Sequence, residues 1–129
     1  MPEVLRHAFA GITAVRLSDG VIVYANPRLE SMFGYEPGEL LGQHVSVLNG
    51  GPEEEATERA RRIPATIAEA GGWVGEILNR RKDGSEFWSQ LTASAFHPPE
   101  HFPIGIGVHE DITDRKKTEA LLRQSREQF

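Results

Sequence analysis

Five segments of the chain are rich in apolar and β-branched residues, or alternate apolar with polar residues, as strands with one buried face do. Residues 12–17 and 21–24 form the first pair, and a Ser-Asp-Gly turn between them predicts a hairpin. Three more strands are predicted in the second half, at residues 73–81, at residues 85–96 and from Ile104 onward. A Lys-Asp-Gly turn separates the first two of these, so the pattern predicts a sheet of five antiparallel strands.

Between the second and third predicted strands the apolar residues change to helical spacing. Asn26 is suited to cap a short helix that begins at Pro27 and ends at Gly34. Residues 37–41 predict another short helical turn. A hairpin followed by helices of one or two turns does not match the opening of a Rossmann fold or of a β/α barrel.

A longer helix is predicted from Pro52 to the glycines at residues 71–72. Three glutamates at residues 53–55 complement the positive end of its dipole. Pro64 lacks the amide that would bond to the Ala60 carbonyl, so we expect it to kink this helix or to split it in two. Strands and helices together predict an α+β domain with short helices on one face of the sheet.

The chain becomes highly charged after the last predicted strand. Residues beyond Thr113 favour a helix, but its sizeable apolar residues are only Leu121, Leu122 and Phe129. So sparse a stripe does not stabilise a lone helix, which must therefore dock, pair with a second copy or continue beyond Phe129. Asp111 and Thr113 are suited to cap the start of this helix and to couple it to the strand.

Composition narrows the class of protein. With 129 residues, 39% hydrophobic and 26% charged, the chain has the balance of one globular domain. A net charge of -5 gives no reason to expect nucleic-acid binding. The absence of cysteine excludes disulfides, thiolate catalysis, cysteine zinc sites and cysteinyl-flavin photochemistry. The sequence contains neither an apolar run long enough to span a membrane nor a signal-peptide core, so we expect a cytoplasmic domain without membrane contact.

Motifs of catalysis are missing from the sequence, which has no G-x-S-x-G, no P-loop and no H-E-x-x-H. His97 and His101 lie four residues apart in a proline-rich loop rather than on a helix, so their spacing does not indicate a metal site. The sequence therefore predicts neither an enzyme nor a dedicated metal centre.

Several short motifs resemble those of PAS sensor domains, in the same order and spacing. The opening of such a domain is matched at residues 19–27 (DGVIVYANP), 32–35 (MFGY) and 39–42 (ELLG). Its second half is matched at residues 72–76 (GWVGE), 79–84 (NRRKDG) and 111–116 (DITDRK). The resemblance implies a PAS fold, in which a five-stranded antiparallel sheet and short helices enclose a pocket and a C-terminal helix carries the signal. It divides the chain into a cap or linker helix (1–9), the sensor domain (10–113) and the signalling helix (114–129).

The resemblance extends to flavin-binding PAS members without a photoactive cysteine, and it makes FAD the implied cofactor. Residues 48–52 (LNGGP) are similar to their Leu-x-Ser-Gly-x-x-Pro segment, although glycine replaces the serine and the proline comes early. Trp73 offers a flat face to a ring system, and Asn79 on the same strand face offers a donor and an acceptor. The residues expected to bind the cofactor are Leu48, Asn49, Trp73, Asn79 and Trp88. Haem is not expected, because the long helix lacks the histidine that haem-binding relatives present.

Two functions are compatible with this sequence. In the first, a redox change or a small ligand in the pocket is relayed through Asp111, Ile112 and Thr113 to the C-terminal helix, inside a larger histidine kinase or cyclic-dinucleotide enzyme. In the second, the domain is a ligand-free connector whose terminal helices form a homodimer, with Val4, Leu5 and Phe9 in the seam. Both imply a neighbouring output domain. In the second interpretation Trp73 and Trp88 are core or interface aromatics and Asn79 is a hairpin residue.

Overall fold

The computed structural model describes residues 9–127, so residues 1–8 of the cap or linker helix expected over 1–9 lie outside them. Its five strands form one antiparallel sheet in the order β2-β1-β5-β4-β3. The strands are β1 (Gly11–Arg16), β2 (Ile22–Ala25), β3 (Gly72–Arg80), β4 (Glu86–Phe96) and β5 (Ile104–Asp111). The helices are α1 (Pro27–Phe33), a 3₁₀ turn (Val45–Leu48), α2 (Glu53–Ala70) and α3 (Thr113–Glu127). The predicted α+β class and the five-stranded sheet are confirmed.

The last strand completes the sheet by inserting between the first strand and the fourth. β5 pairs with β1 along Gly11–Arg16 and with β4 along Ser89–Phe96. Residues far apart in sequence are thereby brought side by side on the inner face, which the helices cover.

The cap predicted for α1 is confirmed. The Asn26 side chain accepts hydrogen bonds from the backbone amides of Leu29 and Ile12, both at 2.9 Å, and so ties the helix start to β1. Gly34 ends the helix in the left-handed region, at φ 80°. The helix predicted at residues 37–41 is wrong: the chain forms turns there, because Gly38 and Gly42 adopt left-handed φ angles of 79° and 86°.

Helix α2 runs without a break through Pro64, so the predicted split is wrong. Proline removes one helical hydrogen bond, but its fixed φ angle is compatible with a helix. The continuous helix buries one apolar face against the sheet, which offsets the missing bond. The buried residues of this face are Ala56, Ala60, Ile63 and Ile67.

The core divides into two clusters on the inner face of the sheet. The first centres on Phe33 and Phe87, whose rings meet edge to face at 5.0 Å. The second joins α2 to the sheet through Ile63, Ile67 and Leu91, among other residues. Helix α3 contributes no buried residue to either.

Candidate functional site

A cavity lies between the two clusters, bounded by the sheet, by α2 and by the 3₁₀ turn. It contains about 560 Å³ of space free of protein atoms, counted out to its open mouth. Much of this space belongs to the open mouth, and the volume of the cavity itself is about 60 Å³. Its lining is mainly aliphatic, with Val15, Ile63 and Leu91 among the contributors.

Two glycines of β5 leave space in the cavity because they have no side chain. Gly105 and Gly107 face inward, where a larger side chain would enter the space. A Cβ atom on Gly107 would lie 2.8 Å from Thr13 Oγ1 and 3.0 Å from Leu91 Cδ1. The glycines therefore provide the room that a flat ligand needs beside the sheet.

One wall of the cavity is polar: Asn79 of β3 and His109 of β5 line it, and Ser89 of β4 joins the two. Asn79 and Ser89 are fully buried and His109 is 4% exposed. Asn79 Nδ2 donates to Ser89 Oγ at 2.7 Å, and Ser89 Oγ lies 3.2 Å from His109 Nδ1. Ser89 Oγ is able to donate to His109 Nδ1 or to accept from it, and the direction depends on which nitrogen of the His109 ring carries the proton.

The Asn79 side chain is only partly satisfied. Its Oδ1 atom is buried and has no hydrogen-bond partner among the described residues. An unpaired buried acceptor costs about 1–3 kcal/mol, so buried acceptors are normally paired. Since Asn79 lines the cavity, a ligand with an N–H or O–H group at this wall would satisfy the atom.

His109 is held in its neutral form. Burial away from water lowers its pKa from 6.5 to about 4, because the charged imidazolium loses hydration. Its ring also packs edge to face against Phe33, with ring centroids 5.6 Å apart. At neutral pH the wall therefore offers hydrogen bonds but no charge.

The Leu48–Pro52 segment closes one side of the cavity. Its two glycines are explained by the close packing of this backbone. A Cβ atom on Gly50 would lie 2.8 Å from the backbone oxygen of Asn79. Gly51 has φ 83°, its N–H donates to Glu86 Oε2 at 2.7 Å, and its carbonyl accepts from Arg80 Nη2 at 2.9 Å. The double glycine therefore allows this backbone to lie directly on β3.

The junction between β5 and α3 is tightly held. Asp111 Oδ1 accepts from the backbone N–H of Thr113 at 2.9 Å, as expected of a residue beside a helix start. Ile112 is 3% exposed, and its N–H donates to the Trp88 carbonyl at 3.0 Å. Thr113 Oγ1 is buried without a partner among the described residues. The relay function assigned to these residues stays a prediction.

Comparison with known proteins identifies the family. A family model described as PAS domain matches residues 11–114, which is most of the chain. The chain belongs to the PAS domain family.

The relatives of this PAS domain include much longer proteins. It is 36% identical over 118 residues to Phototropin-2 of Oryza sativa subsp. japonica, covering 91% of the chain and 12% of that protein. It is 36% identical over 86 residues to the Blue-light-activated histidine kinase of Brucella canis, covering 67% of the chain and 17% of that protein. The chain thus spans less than a fifth of the length of these relatives.

Solved PAS structures have the same fold. An RNA-binding Light-Oxygen-Voltage receptor superposes with a TM-score of 0.76 at 28% identity, over 97% of this chain and 36% of that chain. A Light-Oxygen-Voltage domain studied with a flavin analogue superposes with a TM-score of 0.69 at 30% identity, over 97% and 93%. A PAS domain from Colwellia psychrerythraea, with a TM-score of 0.75 at 23% identity over 87% and 93%, supports the fold alone.

The cavity of the PAS domain brings together three of the five residues expected to bind a cofactor. Leu48, Asn49 and Asn79 line it, and Asn49 is 6% exposed. Trp73 does not belong to the lining: its ring lies along the strand over Gly75 and packs against the α2 cluster.

Trp88 is also placed outside the cavity, which corrects the expectation. It faces outward from β4, 37% exposed, with Lys116 Nζ 4.8 Å from the centre of its ring. The reason is strand parity, because successive residues of a strand point to opposite faces and Phe87 and Ser89 point inward.

Ser89 and His109 are the site residues that sequence reasoning missed. Ser89 shares the inward face of β4 with Phe87 and Leu91, so parity alone identifies it as buried. His109 has the same parity as the inward Gly105 and Gly107, but its partners come from other strands. The sequence therefore predicts that Ser89 and His109 are buried, but it does not predict that they contact each other.

Membrane-spanning helices and metal-binding clusters are both absent from residues 9–127. Within residues 9–127, no helix combines the length and the apolar character needed to cross a membrane. In the same range, no group of three or more His, Cys, Asp or Glu side chains is arranged to hold a metal ion.

Proposed function

We propose that this PAS domain is the sensory module of a larger signalling protein and that it binds a flavin in its cavity. The observation that carries this proposal is the buried, unpartnered Oδ1 atom of Asn79 at the cavity wall. A flavin ring has an N–H group flanked by carbonyl groups at one edge. That donor suits Asn79 Oδ1, and Nε2 of the neutral His109 ring offers the same ligand a donor or an acceptor, according to its tautomer.

The relatives support the same proposal. Two carry names that state light sensing, and one solved neighbour was studied with a flavin analogue. When bound, a flavin supplies redox chemistry to the site. With no cysteine in the chain, no thiol of this domain takes part, and a redox signal is proposed rather than a thiol adduct. The domain itself is proposed to sense and not to catalyse.

FAD is the flavin proposed, from the resemblance of residues 48–52 to flavin-binding PAS members. Arg59 is the one cavity-lining residue with a permanent charge in the described chain. Its Nη1 atom donates to the Gly50 and Leu78 carbonyls, each at 3.3 Å, and both bonds are long. Arg59 is therefore suited to exchange them for the phosphate of a flavin nucleotide at the mouth.

The signal is proposed to leave through β5. His109 is two residues before Asp111, which caps α3 at Thr113. A change in the hydrogen bonds of His109 shifts this strand end, and the cap passes the shift to the helix. The output domain, a histidine kinase or a cyclic-dinucleotide enzyme, is proposed to follow α3.

The visible spectrum of the purified domain tests the cofactor. We expect flavin absorption bands, either as isolated or after refolding with excess FAD. Asn79→Leu removes the acceptor without changing size greatly, and we expect it to weaken FAD binding at least tenfold. Trp88→Phe on the outer face is the matched control and should bind as the wild type does. A domain that stays colourless with excess FAD, or an Asn79→Leu variant with unchanged affinity, contradicts the proposal.

A second function, the ligand-free dimeric connector, is favoured by one observation. Leu121 and Leu122 of α3 are 66% and 54% exposed, although leucine is normally buried. We propose that in this function they form a helical seam with a second copy. Of the N-terminal residues expected in the seam, Val4 and Leu5 lie outside the described residues, and Phe9 is 97% exposed. Dimerisation without any FAD uptake supports the connector over the flavin sensor.

A further inference from the structure

The Leu48–Pro52 segment lies along a free edge of the sheet. β3 is an edge strand, so one side of its backbone is not paired by another strand. On that side Asn49 forms an isolated antiparallel bridge with Asn79, and the Gly50 N–H donates to the Leu78 carbonyl at 2.9 Å. A backbone contact of this length is too short to hold the segment in place by itself.

Two charged side chains hold the backbone of the next residue, Gly51. Glu86 Oε2 accepts from the Gly51 N–H at 2.7 Å, and Arg80 Nη2 donates to the Gly51 carbonyl at 2.9 Å. Arg80 ends β3 and Glu86 begins β4, where the two are register partners, and Arg80 Nη2 lies 3.9 Å from Glu86 Oε2. One cross-strand pair thus binds both backbone groups of one residue through charge-assisted hydrogen bonds.

This cross-strand pair lies outside the cavity. Neither Arg80 nor Glu86 belongs to the cavity lining, and each side chain is 41% exposed. Arg59, by contrast, lines the cavity and holds the Gly50 carbonyl through a long bond of 3.3 Å. When Arg59 turns to a phosphate, that bond is lost, while both bonds to Gly51 remain. The pair is therefore a fastening of the cavity wall that a ligand does not have to displace.

We propose that Arg80 and Glu86 are positioning residues that clamp Gly51 of the cavity wall. Through Gly51 the clamp keeps Asn49 in place beside Asn79, and it slows the exit of a bound ligand. Asn49 is two residues before the clamped glycine and is 6% exposed, and Asn79 carries the unpaired acceptor of the cavity. Only the effect on the ligand rests on the proposed function, because the clamp is a property of the cofactor-free domain.

Amide hydrogen exchange of the cofactor-free domain tests the clamp. Glu86→Leu removes the acceptor at similar size, and we expect the Gly50 N–H to exchange about threefold to tenfold faster, as for the loss of one partly exposed charged hydrogen bond. Gly50 is the informative amide because its own bond, to Leu78, is not altered by the substitution. The matched control is Glu58→Leu, which breaks an exposed ion pair with Arg61 outside the cavity wall. An unchanged Gly50 rate in Glu86→Leu would overturn the clamp.

Swapping the two side chains separates a clamp from a simple ion pair. Arg80→Glu combined with Glu86→Arg keeps the cross-strand pair and the net charge, but it places a donor beside the Gly51 N–H and an acceptor beside its carbonyl. We expect the Gly50 amide of the swapped domain to exchange as fast as in Glu86→Leu, while the amides of β1 keep their wild-type rates. Wild-type exchange at Gly50 in the swapped domain would show that the ion pair is sufficient. That result, or an equal rise in both regions, would overturn the clamp.

The rate at which FAD leaves the domain tests the effect on the ligand. We expect FAD to dissociate from Glu86→Leu at least threefold faster than from the wild type, and from Glu58→Leu at the wild-type rate. Faster exchange at Gly50 with an unchanged FAD dissociation rate would overturn the effect on the ligand and leave the clamp intact. A wild-type domain that takes up no FAD would refute the proposed flavin site, and with it the effect on the ligand. The exchange at Gly50 would still decide the clamp.

Discussion

Asn79 and His109 are polar residues at buried positions where aliphatic side chains are usual. Asn79 retains one buried, unpaired oxygen, and His109 is kept neutral by burial. The unpaired oxygen weakens the folded domain, and the buried imidazole weakens it only in acid, where the unfolded chain binds more protons. Strand parity predicts that Asn79, Ser89 and His109 all face inward, but it does not predict that Ser89 joins the other two.

The titration of His109 predicts how stability depends on pH. Its pKa is lowered in the folded state to about 4, so the unfolded chain binds more protons between that value and 6.5. Stability from this residue is complete above about pH 7 and falls as the pH decreases, by roughly 2 kcal/mol at pH 5. Urea unfolding of the wild type and of His109→Gln measures the difference. An equally steep loss in His109→Gln would show that other groups cause it.

Helix α2 shows how packing overrides a local signal. Pro64 lacks the amide for the Ala60 carbonyl, and from sequence this predicts a kink or a split. The helix stays continuous because Ile63 and Ile67 anchor it to Leu91 on the sheet. The cost of the proline remains, however, and its ring lines the cavity.

Pro64→Ala should therefore stabilise the cofactor-free domain. It restores one helical hydrogen bond and removes a poor helix former, and we expect a gain of about 1–3 kcal/mol in the free energy of unfolding. Thr66→Ala, at a partly exposed position of the same helix, should change it by less than about 0.5 kcal/mol. Urea denaturation measures both. A loss of stability in Pro64→Ala would show that the ring is needed to fill the space beside the cavity.

For the domain as a whole, the distribution of burial separates a sensor body from an outgoing helix. The body has two apolar clusters with a cavity between them, whereas α3 is exposed beyond its first turn. The curated relatives are several times longer than this chain. This arrangement suits a module that acts on a neighbour. The boundaries at residues 9 and 113 stay predictions.

Self-association of the whole domain through α3 is a further prediction. Leu121→Lys combined with Leu122→Lys places charge in the proposed seam, and we expect the dimer population to fall at least tenfold in analytical ultracentrifugation. Ala120→Lys, on the same turn, is a control for the added charge. Cofactor uptake should not change in either variant, because the cavity lies on the opposite side of the sheet. An unchanged dimer would place the interface elsewhere.

The sequence by itself determined the features that depend on neighbours along the chain. The five strands, the Asn26 cap, the turn glycines and the charged helix after Thr113 were all predictable, because each rests on contacts between nearby residues. The tertiary structure decided which inward residues meet. Asn79, Ser89 and His109 are ten and twenty residues apart along the chain, and they meet only because β4 pairs with both β3 and β5. The clamp on Gly51 has the same origin, since Glu86 lies 35 residues after the glycine that it holds.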